Sequence, residues 1–418
     1  MTATVALIAA TFGGNHGAEA MALTAIGRIR DRIPDARIEF FSYYPVQDSE
    51  LVQHGFIRIH SCTPINLVTV LFPGALVGMM LHVLGLRRFI DVLPKSGRAL
   101  ARADVLVDLA GVSFVDGREK FLPFNVLTIL CPMLLGIPVV KFSQALGSFD
   151  NRLNRSVARI MLPRCTAIFS RGSRTLANLT GLGLEARLLQ RANDAAFLLE
   201  SRDRLTVAPS PEADRLVQEL EYARTAGRVV VGICPSSVVA KNAGWDYVGY
   251  LAALVKGQLA NGRVVLLFPN ATRADGGDEL RNNDLPIIRA VRSRLESLDQ
   301  SRFLYVDGDL DAIDIKRLVA LCDVVAVSRF HAMVAALSIA VPVIVIGWSH
   351  KYLEVMALFN LERYVFELND TDTARVTEHL EELVAENELV SDTIRLALDP
   401  VKKESLAQFE TLFELLEA

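Results

Sequence analysis

The stretch Ser328-Arg329-Phe330-His331-Ala332 follows the apolar run Val324–Val327, so polar side chains appear where a strand gives way to a helix. Ser328 is placed to cap that helix. Arg329 and His331 then stand at its N-terminus, where unpaired N–H groups and partial positive charge favour an anion. Arg329 offers a planar fork for carboxylate or phosphate, and a charge-assisted bond of that kind contributes about 1.5–3 kcal/mol. His331 titrates near neutral pH and suits a general acid. The same pair is equally compatible with a surface ion pair and a satisfied core histidine.

Lys351 emerges just after the next apolar run, beyond Gly347-Trp348-Ser349-His350. If the two strands are neighbours, it supplies a second cation for phosphate; otherwise it is an ordinary surface lysine. The first apolar run opens into Thr11-Phe12-Gly13-Gly14-Asn15-His16-Gly17-Ala18-Glu19. This is neither GxGxxG nor a P-loop, but its glycines let backbone approach a ligand and a helix N-terminus follows. Asn15 and His16 are suited to hydrogen-bond a sugar. Glu19 is either a base or a first-turn acid on the helix dipole. Three more loops fit the same placement: residues 108–116 with Asp116, residues 143–148, and Ser170-Arg171-Gly172-Ser173, whose Arg171 is a third arginine. Asp116 reads as a structural carboxylate or as a base.

Strand-like and helix-like segments alternate behind these loops. Strands are expected over 5–11, 38–42, 105–109, 139–143 and Ala167–Ser170, with a helix over 18–32. The pattern restarts with strands at 229–234, 264–268, 303–306, Val324–Val327 and 343–346. Helices are expected between them at Tyr247–Ala260, 286–298, 312–320 and 331–338. Such alternation predicts parallel sheets covered by helices, with ligands beyond the carboxyl ends of strands. The expected organisation is an N-terminal Rossmann-like domain over 1–200 and a linker and helix over 201–227. A C-terminal Rossmann-like domain over 228–385 and amphipathic helices over 386–418, packing back across the pair, complete it. The fold class is α/β, with two Rossmann-like domains facing a cleft.

A length of 418 residues exceeds one ordinary core, and 51% apolar with 22% charged residues describes a globular chain. A net charge of −4 without a basic stripe excludes nucleic acid as an expected partner. Five scattered cysteines without a CxxC pair read as buried free thiols, and seven histidines away from them offer no zinc site. No basic residue precedes Arg28, so the N-terminus reads as a buried strand and a cytoplasmic location is expected. Residues 65–86 carry no charge, long enough for a membrane span by length alone. Pro73-Gly74 predicts two short apolar helices instead, followed closely by Arg87, Arg88, Lys95, Arg98 and Arg102. Residues 65–102 thus suit either a peripheral contact with an anionic membrane or a core helix followed by a solvated one.

The Ser328–Ala332 stretch, Gly347 and Lys351 together resemble the signature of the polysaccharide pyruvyl transferase family. Residues 14–19 resemble its N-terminal Asn-x-Gly element, and residues 111–116, 144–147, Ser170-Arg171 and Asp194 before Phe197 follow in the family's order. The resemblance spans about residues 5 to 365. The chain departs from it in having Ala110-Gly111-Val112 for a run of glycines and Gly147-Ser148 for Gly-Pro. The resemblance implies a GT-B-like pair of domains, phosphoenolpyruvate as donor and co-substrate, and a sugar acceptor, lipid-linked in one reading. It implies no metal and no other cofactor. Arg329 and His331 would bind the donor with Arg171 as a further contact, His331 as general acid, and Glu19 or Asp116 as base. Two alternatives stand beside it: a GT-B glycosyltransferase using a nucleotide sugar, and a non-catalytic sugar-binding relative. The second domain lacks an acidic pair placed for a nucleotide ribose, and the arginines and lysine favour an enzyme.

Overall fold

Short aliphatic runs closed by polar or glycine-containing loops become the strands of two all-parallel sheets. The computed structural model describes residues 3–205, 210–273, 282–296, 300–347, 350–367 and 373–417. It divides the chain into two units. The first gathers Met1–Phe12, Met21–Thr206 and Lys402–Ala418, and the second gathers Gly13–Ala20 and Val207–Val401.

In the first unit the strands are β1 (Thr4–Ile8), β2 (Arg37–Ser42), β3 (Ile57–Ser61), β4 (Val105–Asp108), β5 (Val112–Ser113), β6 (Val139–Leu146), β7 (Ala167–Ser170) and β8 (Leu189–Arg191). Their order is β3-β2-β1-β4-β6-β7-β8, with β5 paired to β6. The second unit has β9 (Val230–Cys234), β10 (Val264–Leu267), β11 (Phe303–Tyr305), β12 (Val324–Val327), β13 (Val343–Gly347) and β14 (Val365–Glu367), in the order β11-β10-β9-β12-β13-β14. Each chain path steps outward from a central strand, returns, and continues on the other side. The reversal falls between β1 and β4 in one sheet and between β9 and β12 in the other, which is where open α/β sheets hold ligands.

The structure departs locally from the sequence expectation at three places. Strand β6 continues beyond Ser143 through Gln144 to Leu146, a segment expected in a loop, because the Gln144 amide is satisfied internally. Gln144 Nε2 donates to the Asp108 carbonyl (2.9 Å) and its Oε1 accepts from Ser113 Oγ (2.7 Å). The helix expected over 286–298 is Leu285–Arg294, and residues 297–298 lie outside the described residues. The apolar stretch expected as two helices is instead continuous over Pro64–Val83. Its middle, Leu67–Leu71, is widened, and the Phe72 N–H bonds the Leu67 carbonyl five residues back. The next residue, Pro73, has no N–H to offer, so the wider turn admits the ring without breaking the run.

The helix Asn387–Glu417 carries Pro400, and its residues from Lys402 onward belong to the first unit. There Gln408 Oε1 accepts from the Ser143 N–H (2.9 Å), Ser405 Oγ donates to the Asp194 carbonyl (3.2 Å), and the Phe409 ring meets Phe142 edge-on at 5.0 Å. The expected linker holds a second-unit helix, Pro211–Thr225, capped by Ser210; residues 206–209 lie outside the described residues.

Candidate functional site

In the second unit, β9 runs into Cys234-Pro235-Ser236-Ser237 and the neighbouring β12 into Ser328-Arg329. These two exits flank the reversal of the sheet. Arg329 is the N-cap residue of the helix Phe330–Ser338, with extended backbone and no side-chain cap bond. Ser328 therefore does not cap, contrary to the sequence expectation. Its Oγ accepts instead from Tyr247 Oη (2.8 Å), and its carbonyl accepts from Tyr352 Oη (3.2 Å).

Arg329 was expected to present its fork to a ligand. Its guanidinium is instead closed around Asp284: Nη2 lies 2.5 Å from Oδ1, and Nε lies 3.1 and 3.0 Å from the two oxygens. Nη2 also donates to Ser237 Oγ (2.8 Å) and Nη1 to Asn282 Oδ1 (3.2 Å). The Asp284 carboxylate further accepts the N–H groups of Ser237 (2.8 Å), Asn270 (3.1 Å) and Ala271 (2.9 Å). Burial opposes the arginine's charge, but Asp284 beside it raises its pKa above the ordinary value. The side chain thus ties the exits of β9, β10 and β12 together, and Asp284 is its principal partner.

His331 occupies the first turn of the same helix, its ring edge-on to Phe330 at 5.2 Å. The Gly17 backbone closes against that ring. A Cβ added at Gly17 would stand 2.0 Å from His331 Nδ1, so only glycine permits the approach. Gly17 is held there by its neighbours. Gly14 adopts φ +75°, its carbonyl accepts from the Thr272 N–H (3.2 Å), and the His16 N–H donates to the Asn270 carbonyl (3.3 Å). Asn15, expected to meet a sugar, caps the helix His16–Arg32: its Oδ1 accepts from the Gly17 (3.2 Å) and Ala18 (3.4 Å) N–H groups.

His16 and Glu19, one turn apart on that helix, form a buried pair with Nδ1 and Oε2 3.2 Å apart. Glu19 Oε2 also accepts from the Ala312 N–H (2.9 Å), while Glu19 Oε1 and His16 Nε2 have no hydrogen-bond partner among the described residues. Burial pushes the Glu19 carboxyl up to about 7, with His16 and the Ala312 N–H pulling the other way. Burial opposes the His16 charge, yet Glu19, Asp309 and Asp311 raise its pKa on balance. A proton shared between the two is the natural state of such a couple near neutrality. Glu19 is 0% exposed, so it positions the Gly17 turn rather than presenting itself as a base to a substrate.

Lys351 lies in the helix His350–Ala357 that follows β13, the neighbour of β12, and its Nζ is 4.9 Å from the Phe330 ring. The expected adjacency to the Arg329 segment is therefore present. Trp348 and Ser349 lie outside the described residues.

Arg171 and Asp116 belong to the first unit. Arg171 is paired with Asp194 (2.5 Å) and donates to the Gly111 carbonyl (2.9 Å), which fastens three loop regions at the exits of the first sheet. Asp116 was a candidate base. Its carboxylate accepts the N–H groups of Asp150 (2.6 Å) and Asn151 (3.0 Å), Ser148 Oγ (3.2 Å) and Asn154 Nδ2 (2.7 Å). Burial is outweighed by these donors, so its pKa falls below the ordinary carboxylate value and it is a poor base. Lys141, paired with Asp108 between adjacent β6 and β4, was not singled out, because a lysine inside a strand reads as an exposed residue. Asp284 escaped for a related reason: Asp-Leu-Pro reads as a helix start, which it also is.

Two sheets of this strand order, each reversing at a ligand-type crevice, define an α/β fold of the GT-B kind. Alr3699/HepE of Anabaena, solved with UDP-glucose, superposes with a TM-score of 0.55 at 15% identity, covering 99% of this chain and 100% of that one. The UDP-GlcNAc 2-epimerase of Neisseria meningitidis, bound to UDP-GlcNAc, gives 0.59 at 12% identity over 99% and 100% of the two chains. At such identities the likeness is one of fold. The chain belongs to the polysaccharide pyruvyl transferase family, whose sequence model matches residues 15–350.

Proposed function

We propose that the protein transfers a pyruvyl group from phosphoenolpyruvate to a sugar of a glycan or glycolipid, forming a cyclic ketal and releasing phosphate. The observation that carries this reading is His331, held on the first helical turn at the reversal of the second sheet with the Gly17 backbone against its ring. His331 protonates the methylene carbon of the donor, which leaves C2 electron-deficient. A sugar hydroxyl adds to C2 and gives up its proton. The C2–O bond to phosphate then breaks, phosphate carries away the bridging oxygen, and a second hydroxyl closes the ketal with loss of its proton. The N-terminus of the helix Phe330–Ser338 and Lys351 suit the donor's carboxylate and phosphate. Arg329, bound to Asp284, keeps the loops in place rather than gripping the donor in this arrangement. Five buried free thiols suit a reducing compartment, so the reaction is assigned to the cytoplasm. The scheme calls for neither a metal nor a nucleotide.

Phosphate release from phosphoenolpyruvate with a panel of glycan acceptors, followed by mass analysis of the product, tests the assignment. His331→Asn is expected to lower turnover by about 10²–10⁴-fold, the usual contribution of a general acid, without altering thermal unfolding. Unchanged turnover in that variant would remove His331 from the role. Consumption of nucleotide sugars alone would make the protein a glycosyltransferase, and stoichiometric sugar binding without phosphate release would make it a binding protein.

A further inference from the structure

The helical run Pro64–Val83 is 20 residues long, and its most apolar stretch of 18 residues has a mean hydropathy of 1.8 with only 28% of it buried. Its packed face is made of small or core residues. Leu67, Leu71 and Ala75 join the first unit's core, and Gly74 and Gly78 let Pro94 and Leu135 approach so closely that an added Cβ would meet them at 3.4 and 2.3 Å. The opposite face is the anomaly. Ile65, Val68, Met80 and Val83 lie at helical spacing and are 74%, 54%, 58% and 76% exposed, with Leu76 and Val77 between them. A surface helix ordinarily turns charges to water, whereas this one turns a continuous apolar strip.

The next residues supply the second half of the argument. Between positions 87 and 102 stand Arg87, Arg88, Lys95, Arg98 and Arg102 against a single acid, Asp91. Asp91 is already engaged by Arg102 (2.5 Å) and Arg98 (3.8 Å). Arg87 and Arg88 follow directly on the apolar run and are exposed. An apolar protein partner would cover the strip and leave the cations unanswered; an anionic lipid surface answers both.

We infer that the strip Ile65–Val83 and the adjoining cations form a docking surface for an anionic membrane, with the helix lying in the interface. A spanning arrangement is disfavoured by geometry, because Gly74, Ala75 and Gly78 would have to leave the contacts that fasten the helix to its unit. The inference does not rest on the proposed reaction.

Co-sedimentation of the full chain with vesicles of phosphatidylcholine, alone or mixed with phosphatidylglycerol, tests it. Binding is expected with the mixed vesicles and is expected to weaken as salt is raised. Each surface cation contributes about a factor of five to such binding, so Arg87→Gln with Arg88→Gln is expected to weaken it roughly 25-fold. Replacing Val68, Met80 and Val83 together by Ser, Gln and Ser is expected to abolish it at every salt concentration. These side chains are exposed, so unchanged thermal unfolding of both variants is the control. Absence of binding to mixed vesicles, or binding indifferent to both variants, overturns the inference. So does a dimer in analytical ultracentrifugation that the apolar variant converts to monomer while vesicles bind neither form.

Discussion

Glu19 is fully buried, which disfavours its charged form, and its folded pKa near 7 lies above the ordinary 4.5. The direction of its effect on stability follows from that order. The protonated form contributes fully below about 4.5, and the contribution is lost as pH rises through about 7. His16, also raised, loses its contribution in the same direction, as pH rises through its own folded value. The melting temperature should therefore fall between about pH 4.5 and 7, and Glu19→Gln should flatten that fall in calorimetry. An identical slope in the variant would assign the dependence to other groups. Arg329 makes the second residue-scale case. Asp284→Ala leaves a buried guanidinium without its counter-charge, an imbalance that costs about 3–5 kcal/mol in urea unfolding. Adding Arg329→Met should recover part of the loss, since the two residues act as one unit.

At the scale of elements, the junction of β12 with the helix Phe330–Ser338 was readable from sequence because an unbroken aliphatic run ends in a serine and an arginine. What each side chain does there was not readable. Ser328 looked like a cap, but its hydroxyl is taken by Tyr247, 81 positions earlier, and the Arg329 fork is filled by Asp284, 45 positions earlier. Pairings over such separations leave no periodic trace. The edge strands β3 and β14 were missed for another reason: Arg58 and His60 interrupt the first, and the second is three residues long. The Gly17 turn gives a sharp test of the element as a device. Gly17→Ala inserts a methyl 2.0 Å from His331 Nδ1 and must displace the ring. A displacement of that order is expected to cost about 10²-fold in turnover, with the stability of the first unit unchanged. Full activity in that variant would mean that the ring tolerates a different position.

At the scale of the molecule, alternation of strands and helices conveyed both sheets, because parallel strands buried on two faces are written as short aliphatic runs. The division into units was less legible. Residues Gly13–Ala20 and Lys402–Ala418 each count with the unit remote from them in the sequence, and only contacts such as Gln408 with Ser143 reveal it. A chain ending at residue 401 should show the consequence. It uncovers Phe142 and leaves the Ser143 N–H without Gln408, so the calorimetric transition of the first unit should drop by at least about 3–5 kcal/mol, the cost of deleting one buried Phe. The second unit's transition should move less. The same arrangement sets an order of events on the ribosome. Every strand of the two described sheets emerges before residues 402–417 do, so the nascent chain carries an uncapped first sheet, with the Phe142 side uncovered, until that segment has followed it out.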